Sequence, residues 1–244
     1  VVAAASYTAR KYGIHSAMPI SKAKRLCPHA IFLRKSHRLY SEYSAKVFEI
    51  LRGYSPLVEP VSLDEAFVDL TGCGKLHGPA LKAAETIRNE IRNQLGLNAS
   101  IGIATNKLMA KIASAYCKPN GMLWISPGSE QRFLAPLPIK LIPGIGPKGV
   151  SRLNSIGVQT VADLAYLPLE LLEEVYGKWG ASLYFKARGI SRSSVIAETE
   201  DPRSISRETT LNTDSIDPLF LESILSRLTE KSAAQLRSSK LFAK

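Results

Sequence analysis

An α+β protein is predicted, because strands and helices interleave over residues 31–125 in a βαββαβ-like order. Beyond Pro127 the pattern turns helical, with proline and glycine punctuation. Together these point to an antiparallel or mixed sheet backed by helices, then a helical region, with a boundary near 126.

The elements follow in chain order. Val1-Val2-Ala3-Ala4-Ala5 is an apolar, strand-like run. A helical stretch starts at Met18-Pro19 and ends at Cys27-Pro28, and Ile31-Phe32-Leu33 reads as a short strand. From Tyr40 to Tyr54 the residues Tyr40, Tyr43, Val47, Ile50, Leu51 and Tyr54 recur at helical spacing. Val58 to Leu70 is β-rich around Asp64-Glu65, the pattern of a hairpin. Pro79 to Leu95 is a helix with Leu81, Ala84, Ile87, Ile91 and Leu95 on its apolar face. Strands are expected at Ala99–Ala104 and Met122–Ile125, around a helix from Asn106 to Cys117 capped by Thr105. Helices alone follow, up to an acidic, proline-containing linker at 196–203. A strand (Ser204 to Leu211) and an amphipathic helix close the chain. Asp217-Pro218 supplies that helix with a cap and a first-turn proline, and Leu221, Ile224, Leu225 and Leu228 its apolar stripe.

Composition limits the function. With 45% apolar and 22% charged residues, the 244-residue chain is globular, not disordered. No apolar run approaches the ~18 residues of a membrane span. Three scattered cysteines (Cys27, Cys73, Cys117) suggest neither a disulfide framework nor a zinc site, so a cytoplasmic setting is expected. The 32 Lys/Arg exceed the 21 Asp/Glu for a net charge of +11. Residues 1–41 hold eight bases and no acid, whereas 42–101 hold eight acids and six bases. Such asymmetry suits a polyanion such as nucleic acid, and equally a solvated basic face.

Four motifs could carry chemistry. Asp64-Glu65 puts two carboxylates at a hairpin tip, as Mg²⁺ with substrate phosphates and water would use, although an isolated Asp-Glu turn usually faces solvent. Two-metal phosphoryl transfer normally needs at least three carboxylates, and Asp69, five residues on, should point elsewhere unless the strand turns. Tyr7 and Arg10, three apart, share a face of a helical turn suited to phosphate, though exposed Tyr and Arg are common. Lys107 and Lys111 line one helix face. Lys118, before Pro119-Asn120-Gly121, could reach a triphosphate or simply complement a helix C-terminus. Leu141-Ile142-Pro143-Gly144-Ile145-Gly146-Pro147-Lys148 forms a helix-hairpin-helix pattern, whose glycines expose amides that can hold a DNA phosphate. No strand precedes these glycines and no GxGxxG is complete, which disfavours a dinucleotide fold. His15, His29, His37 and His77 show no ligand spacing.

As an ordered set these motifs resemble the Y-family translesion DNA polymerases, in particular the bacterial DNA polymerase IV type. The similarity lies in Ser6 to Ile14, Ser16-Ala17-Met18-Pro19, Leu26-Cys27-Pro28, Glu59 to Thr71, Ser100 to Lys107, Lys118 to Gly121 and the Pro-Gly-Ile-Gly turn, so it runs over nearly the whole chain. The resemblance implies a right-hand polymerase: fingers at 1–37, palm at 38–126, helical thumb at 127–200 and the start of a little finger at 201–244. It implies that Asp64 and Glu65 are catalytic ligands of two Mg²⁺ ions and that Tyr7, Arg10 and Lys118 bind the incoming nucleotide. Ala3 and Ala17 would line the nascent base pair. Gly144, Gly146, Lys148 and Arg207 would contact DNA.

The implied reaction is attack of a primer 3′-hydroxyl on the α-phosphate of a deoxynucleoside triphosphate, in DNA damage tolerance. The partners are primer–template DNA and dNTP, with a sliding clamp through a segment beyond residue 244; a monomer away from membranes is expected. Ala4 stands where many relatives carry a hydroxyl that touches the triphosphate. The family's first metal-binding aspartate would lie upstream of Val1. The chain is therefore expected to be an internal piece of a longer protein, lacking one palm strand and most of the little finger, and inactive alone. Two rivals are a non-catalytic helix-hairpin-helix DNA-binding module and a structural protein with a basic surface.

Overall fold

A computed structural model describes residues 1–34, 36–197, 201–211 and 213–243, in two compact units, Val1–Ala197 and Glu198–Lys244. The first opens with α1 (Tyr7–Lys11), capped by the Ser6 hydroxyl accepting from the Ala9 amide at 3.1 Å, and α2 (Ile20–Leu26). Val2, Ile14, Met18, Ala23 and Cys27 form their small core. The run at 1–5 is not the expected strand. Only Val2 pairs, donating to Met18 O and accepting from Ala17 N, and a single residue makes no ladder. Ile31-Phe32-Leu33 is not a strand either. It has no backbone partner among the described residues, and Ile31 and Leu33 are 88% and 87% exposed.

The helix expected from Tyr40 starts earlier, as α3 (His37–Arg52), because the Ser36 hydroxyl accepts from Leu39 N and caps it. The hairpin forms as expected. Strands β1 (Val58–Pro60) and β2 (Ala66–Val68) pair antiparallel, with Glu59 opposite Phe67. After α4 (Gly74–His77), α5 (Ala80–Leu95) buries Ala83, Ala84, Ile87 and Ile91, and Ala83, Ile87 and Ile91 pack with Leu51, Tyr54 and Val58. Leu81, expected on that face, is 44% exposed, and Ala83 takes its place.

Strands β3 (Ile101–Ile103) and β4 (Met122–Trp124) pair in parallel, as a crossover through α6 (Lys107–Tyr116) allows. The cap of α6 is Asn106, not Thr105: Asn106 Oδ1 accepts from Met109 N at 3.0 Å, while the Thr105 hydroxyl donates to Glu130 Oε1 at 2.8 Å. The pairing is mixed as expected, but lies in two separate two-stranded ladders among the described residues.

The region beyond 127 is helical: α7 (Glu130–Leu134), a 3₁₀ turn (Ile139–Leu141), α8 (Pro147–Asn154), α9 (Val161–Tyr166), α10 (Leu169–Tyr176) and α11 (Lys178–Ala187). Its core includes Leu134, Ile142, Leu153, Leu164, Leu172 and Leu183, and also Met109 and Ile112 of α6. One apolar cluster therefore spans the position near 126 where the sequence changes character.

The second unit contains α12 (Pro218–Ser238). Asp217 caps it as expected, accepting from Leu219 N and Phe220 N, with Pro218 in the first turn. No residue of α12 is buried, and Leu225 of its apolar stripe is 64% exposed. The strand expected at Ser204–Leu211 is absent, since no backbone ladder forms there among the described residues. Within the expected linker at 196–203, residues 198–200 lie outside the described residues.

Candidate active site

The β1–β2 tip is closed by two amides, Val61 N and Ser62 N, donating to Glu65 O at 2.9 and 3.2 Å. This holds Asp64 and Glu65 where strand alternation is interrupted. The Ser62 hydroxyl donates to Asp64 Oδ1 at 2.7 Å and accepts from Asp64 N. Asp64 is exposed and Glu65 half-buried. Lys111 Nζ, on α6, meets Glu65 Oε2 at 2.7 Å.

Asp69 is engaged by Thr71. Its Oδ1 accepts from Thr71 N at 2.9 Å, and hydrogen bonds from Thr71 hold its carboxyl below the usual value against the effect of burial. Among the described residues no three His, Cys, Asp or Glu side chains cluster as a metal site. Two adjacent carboxylates fit one hard, oxygen-coordinated cation such as Mg²⁺, which keeps waters and takes phosphate oxygens. They do not by themselves furnish a two-ion site.

Tyr7 and Arg10 come together on α1, the guanidinium carbon 5.7 Å from the tyrosine ring. Arg10 Nε donates to Ala5 O at 3.1 Å, a bond that does not use the forked end of the group. Ala3 and Ala17 are exposed, and the Ala17 N to Val2 O bond brings their two segments side by side. Lys118 is exposed just past Cys117, the last cap of α6. Among the described residues no hydrogen bond or ion pair joins Tyr7, Arg10 or Lys118 to Asp64-Glu65.

The glycine turn lies between the 3₁₀ turn and α8, so the first of the two short helices expected is a 3₁₀ turn. Gly144 adopts φ +95°, a conformation that favours glycine, and Gly146 caps α8 with Pro147 in the first turn. Ile145 is buried between the two exposed glycines, and Lys186 Nζ donates to Pro143 O at 2.9 Å from α11. Lys148 is exposed on the first turn of α8. These features present backbone amides and a cation at a helix N-terminus, an arrangement suited to phosphate. Arg207 belongs to the second unit, where it donates to Gln235 Oε1.

The impB/mucB/samB family matches residues 1–115, and the thumb domain of DNA polymerase-iota matches residues 140–191. DNA polymerase IV of Dehalococcoides mccartyi strain BAV1 is 49% identical over 237 residues, covering 97% of this chain and 60% of that protein. A crystal structure of a DinB family error-prone DNA polymerase from Sulfolobus solfataricus superposes with a TM-score of 0.75 at 31% identity, over 96% of this chain and 70% of its own. The chain belongs to the Y-family DNA polymerases, in the DNA polymerase IV (DinB) group. The insertion ternary complex of Dbh DNA polymerase is similarly related, at TM-score 0.75 and 31% identity over 96% of this chain and 68% of its own. The resemblance read from the motifs is thus borne out, and with it the Y-family polymerase fold. This Y-family chain spans about 60% of the length of the first of its curated relatives.

Within it, sequence reasoning missed the partners of α6. Lys107 Nζ sits 2.7 and 2.6 Å from Glu59 Oε1 and Oε2 and 3.1 Å from Ser194 O, with Phe67 beneath at 5.0 Å. Glu59 Oε2 also accepts from Ile196 N at 2.8 Å. Burial would raise the Glu59 carboxyl, but the Lys107 hydrogen bond, the Ile196 amide and the lysine charge outweigh it and hold the value below normal. The available signal was two lysines four apart on a helix with no acid of its own to pair with.

Proposed function

We propose that the protein to which this chain belongs is a DNA-directed DNA polymerase of the translesion type, adding nucleotides from dNTP to a primer 3′-hydroxyl. The observation that carries the proposal is the Asp64-Glu65 pair at a hairpin tip, Asp64 exposed and Glu65 half-buried, in a chain of this family. In this reading residues 1–37 are fingers, 38–126 palm, 127–200 thumb and 201–244 the start of a little finger. Asp64 and Glu65 hold Mg²⁺. Tyr7 and Arg10 take the triphosphate from one side, through a hydroxyl and a guanidinium fork, and Lys118 adds a point charge. Ala3 and Ala17 present small side chains to the new base pair, leaving room for damaged templates. Bound Mg²⁺ supplies charge stabilisation to the attacking and leaving oxygens. Gly144, Gly146, Lys148 and Arg207 hold DNA through its phosphates, without reading bases.

Among the described residues only Asp64 and Glu65 stand at the hairpin tip, while Glu59 is held by Lys107, so we infer that the 244-residue chain alone does not extend a primer. The test is primer extension by the longer gene product containing this chain. Mg²⁺-dependent incorporation that Asp64→Ala abolishes is expected. Incorporation that survives that substitution removes Asp64 from the site. DNA binding with steep salt dependence and no extension under any metal would favour the non-catalytic binding module instead.

A further inference from the structure

Lys107 and Lys111 stand one turn apart on the face of α6 that meets the β1–β2 hairpin, and each takes one of its carboxylates. The two pairs differ in kind. Lys107 and Glu59 are 15% and 22% exposed, joined through both carboxylate oxygens, and tied further by Ser194 and Ile196. Lys111 and Glu65 are 39% and 43% exposed, and among the described residues Lys111 has no other hydrogen bond. Water reaches the second pair, and an exposed pair of this kind is held weakly enough to be given up.

We propose that Lys111 is a positioning residue that occupies Glu65 in place of a divalent cation and is displaced when the cation binds. The proposal rests on the reading of Asp64 and Glu65 as metal ligands. An ion bound there needs the lone pairs of Glu65, and the ammonium at Oε2 competes for them and repels the incoming charge. While no ion is bound, the same ammonium compensates the charge of the Glu65 carboxylate. Lys107 cannot play this part, because its carboxylate is engaged on both oxygens and by a backbone amide.

The test uses Mn²⁺ alone as probe, with free Mn²⁺ followed by electron paramagnetic resonance during titration of the 244-residue chain at neutral pH and low salt. Lys111→Met is expected to tighten binding roughly two- to fivefold. Lys111→Arg, which keeps the charge, is expected to bind as the unsubstituted chain does. The gain in Lys111→Met should shrink as KCl is raised, since salt screens exposed charges. If Lys111→Met fails to fold, Lys111→Gln carries the same expectation. Asp64→Asn separates the role of Lys111 from the metal site itself. If it weakens Mn²⁺ binding while Lys111→Met leaves affinity unchanged or reduced, the role of Lys111 is overturned and the metal site stands. If Asp64→Asn leaves binding unaltered, the metal reading falls and the proposal with it.

Discussion

Lys107 on α6 holds both oxygens of Glu59 on β1, and the same carboxylate receives the Ile196 amide from 137 residues further along the chain. This one ion pair therefore fastens three segments: the hairpin strand, the crossover helix and the stretch that leads out of the first unit.

Lys107→Met is expected to destabilise the first unit by about 1.5–3 kcal/mol at neutral pH, the usual range for hydrogen bonds to charged groups. The Glu59 carboxyl lies below its ordinary value of 4.5 when folded. Its contribution is therefore fully present above 4.5 and is lost as pH falls through the folded value. The difference between Lys107→Met and the unsubstituted chain should shrink below pH 4.5, because a protonated Glu59 no longer needs the ammonium. Urea unfolding midpoints across that range check this. A difference that stays constant with pH would show that the lysine acts through packing on Phe67 instead.

Much of this was legible in the sequence, and what was not has a physical pattern. The hairpin, α5, α6 and α12 could be read because their apolar periodicity and caps are local. The strands expected at 1–5, 31–33 and 204–211 failed because a strand needs a partner, and apolar content alone does not supply one. The acid pair at the tip was legible as a dipeptide that breaks strand alternation. Its link to Lys111 was not, since the two residues lie 46 positions apart and meet only through their long side chains, reaching between α6 and the hairpin. Thr105 and Asn106 are both good capping residues, and choosing between them required knowing that Glu130 is near Thr105.

Asn106 has a second role that sets up a graded test. Besides capping α6 through Oδ1, it donates from Nδ2 to Gly189 O at 2.9 Å, tying the start of α6 to the end of the helical region. Asn106→Ser keeps a cap and loses the tie, at about 1 kcal/mol. Asn106→Ala loses both, at about 2–3 kcal/mol. Thr105→Ala removes only an exposed bond to Glu130 and should stay under about 1 kcal/mol. Thermal or urea denaturation of the three variants gives the ranking, and a larger loss for Thr105→Ala than for Asn106→Ala would reverse the cap assignment.

Two glycines allow main chains to touch. A Cβ at Gly102 on β3 would lie 2.0 Å from Ala110 O and 2.4 Å from Ser114 N on α6. A Cβ at Gly180 on α11 would lie 1.8 Å from Leu172 O on α10. These obstacles are backbone atoms that cannot swing aside, so each alanine variant must push a helix away. Gly102→Ala and Gly180→Ala are expected to lose about 3 kcal/mol or more, or to fail to fold. Gly146→Ala, with nothing within 4 Å of its new methyl group, should lose no more than about 1 kcal/mol. Circular dichroism melts of the three variants test the contrast.

Lys148 separates DNA contact from stability. It is exposed on the first turn of α8, beside the amides of the glycine turn. If it meets a phosphate, Lys148→Ala should weaken DNA binding by a similar factor on every sequence tested, because a phosphate contact carries no base information. The slope of log affinity against log salt should fall by about one, the signature of one fewer counterion released. Thermal stability should be unchanged within about 0.5 kcal/mol, as for other exposed surface substitutions. Fluorescence anisotropy over a salt series measures the slope. A loss of affinity at constant slope would mean that Lys148 shapes the turn without touching the phosphate, leaving the backbone amides at Gly144 and Gly146 to hold DNA.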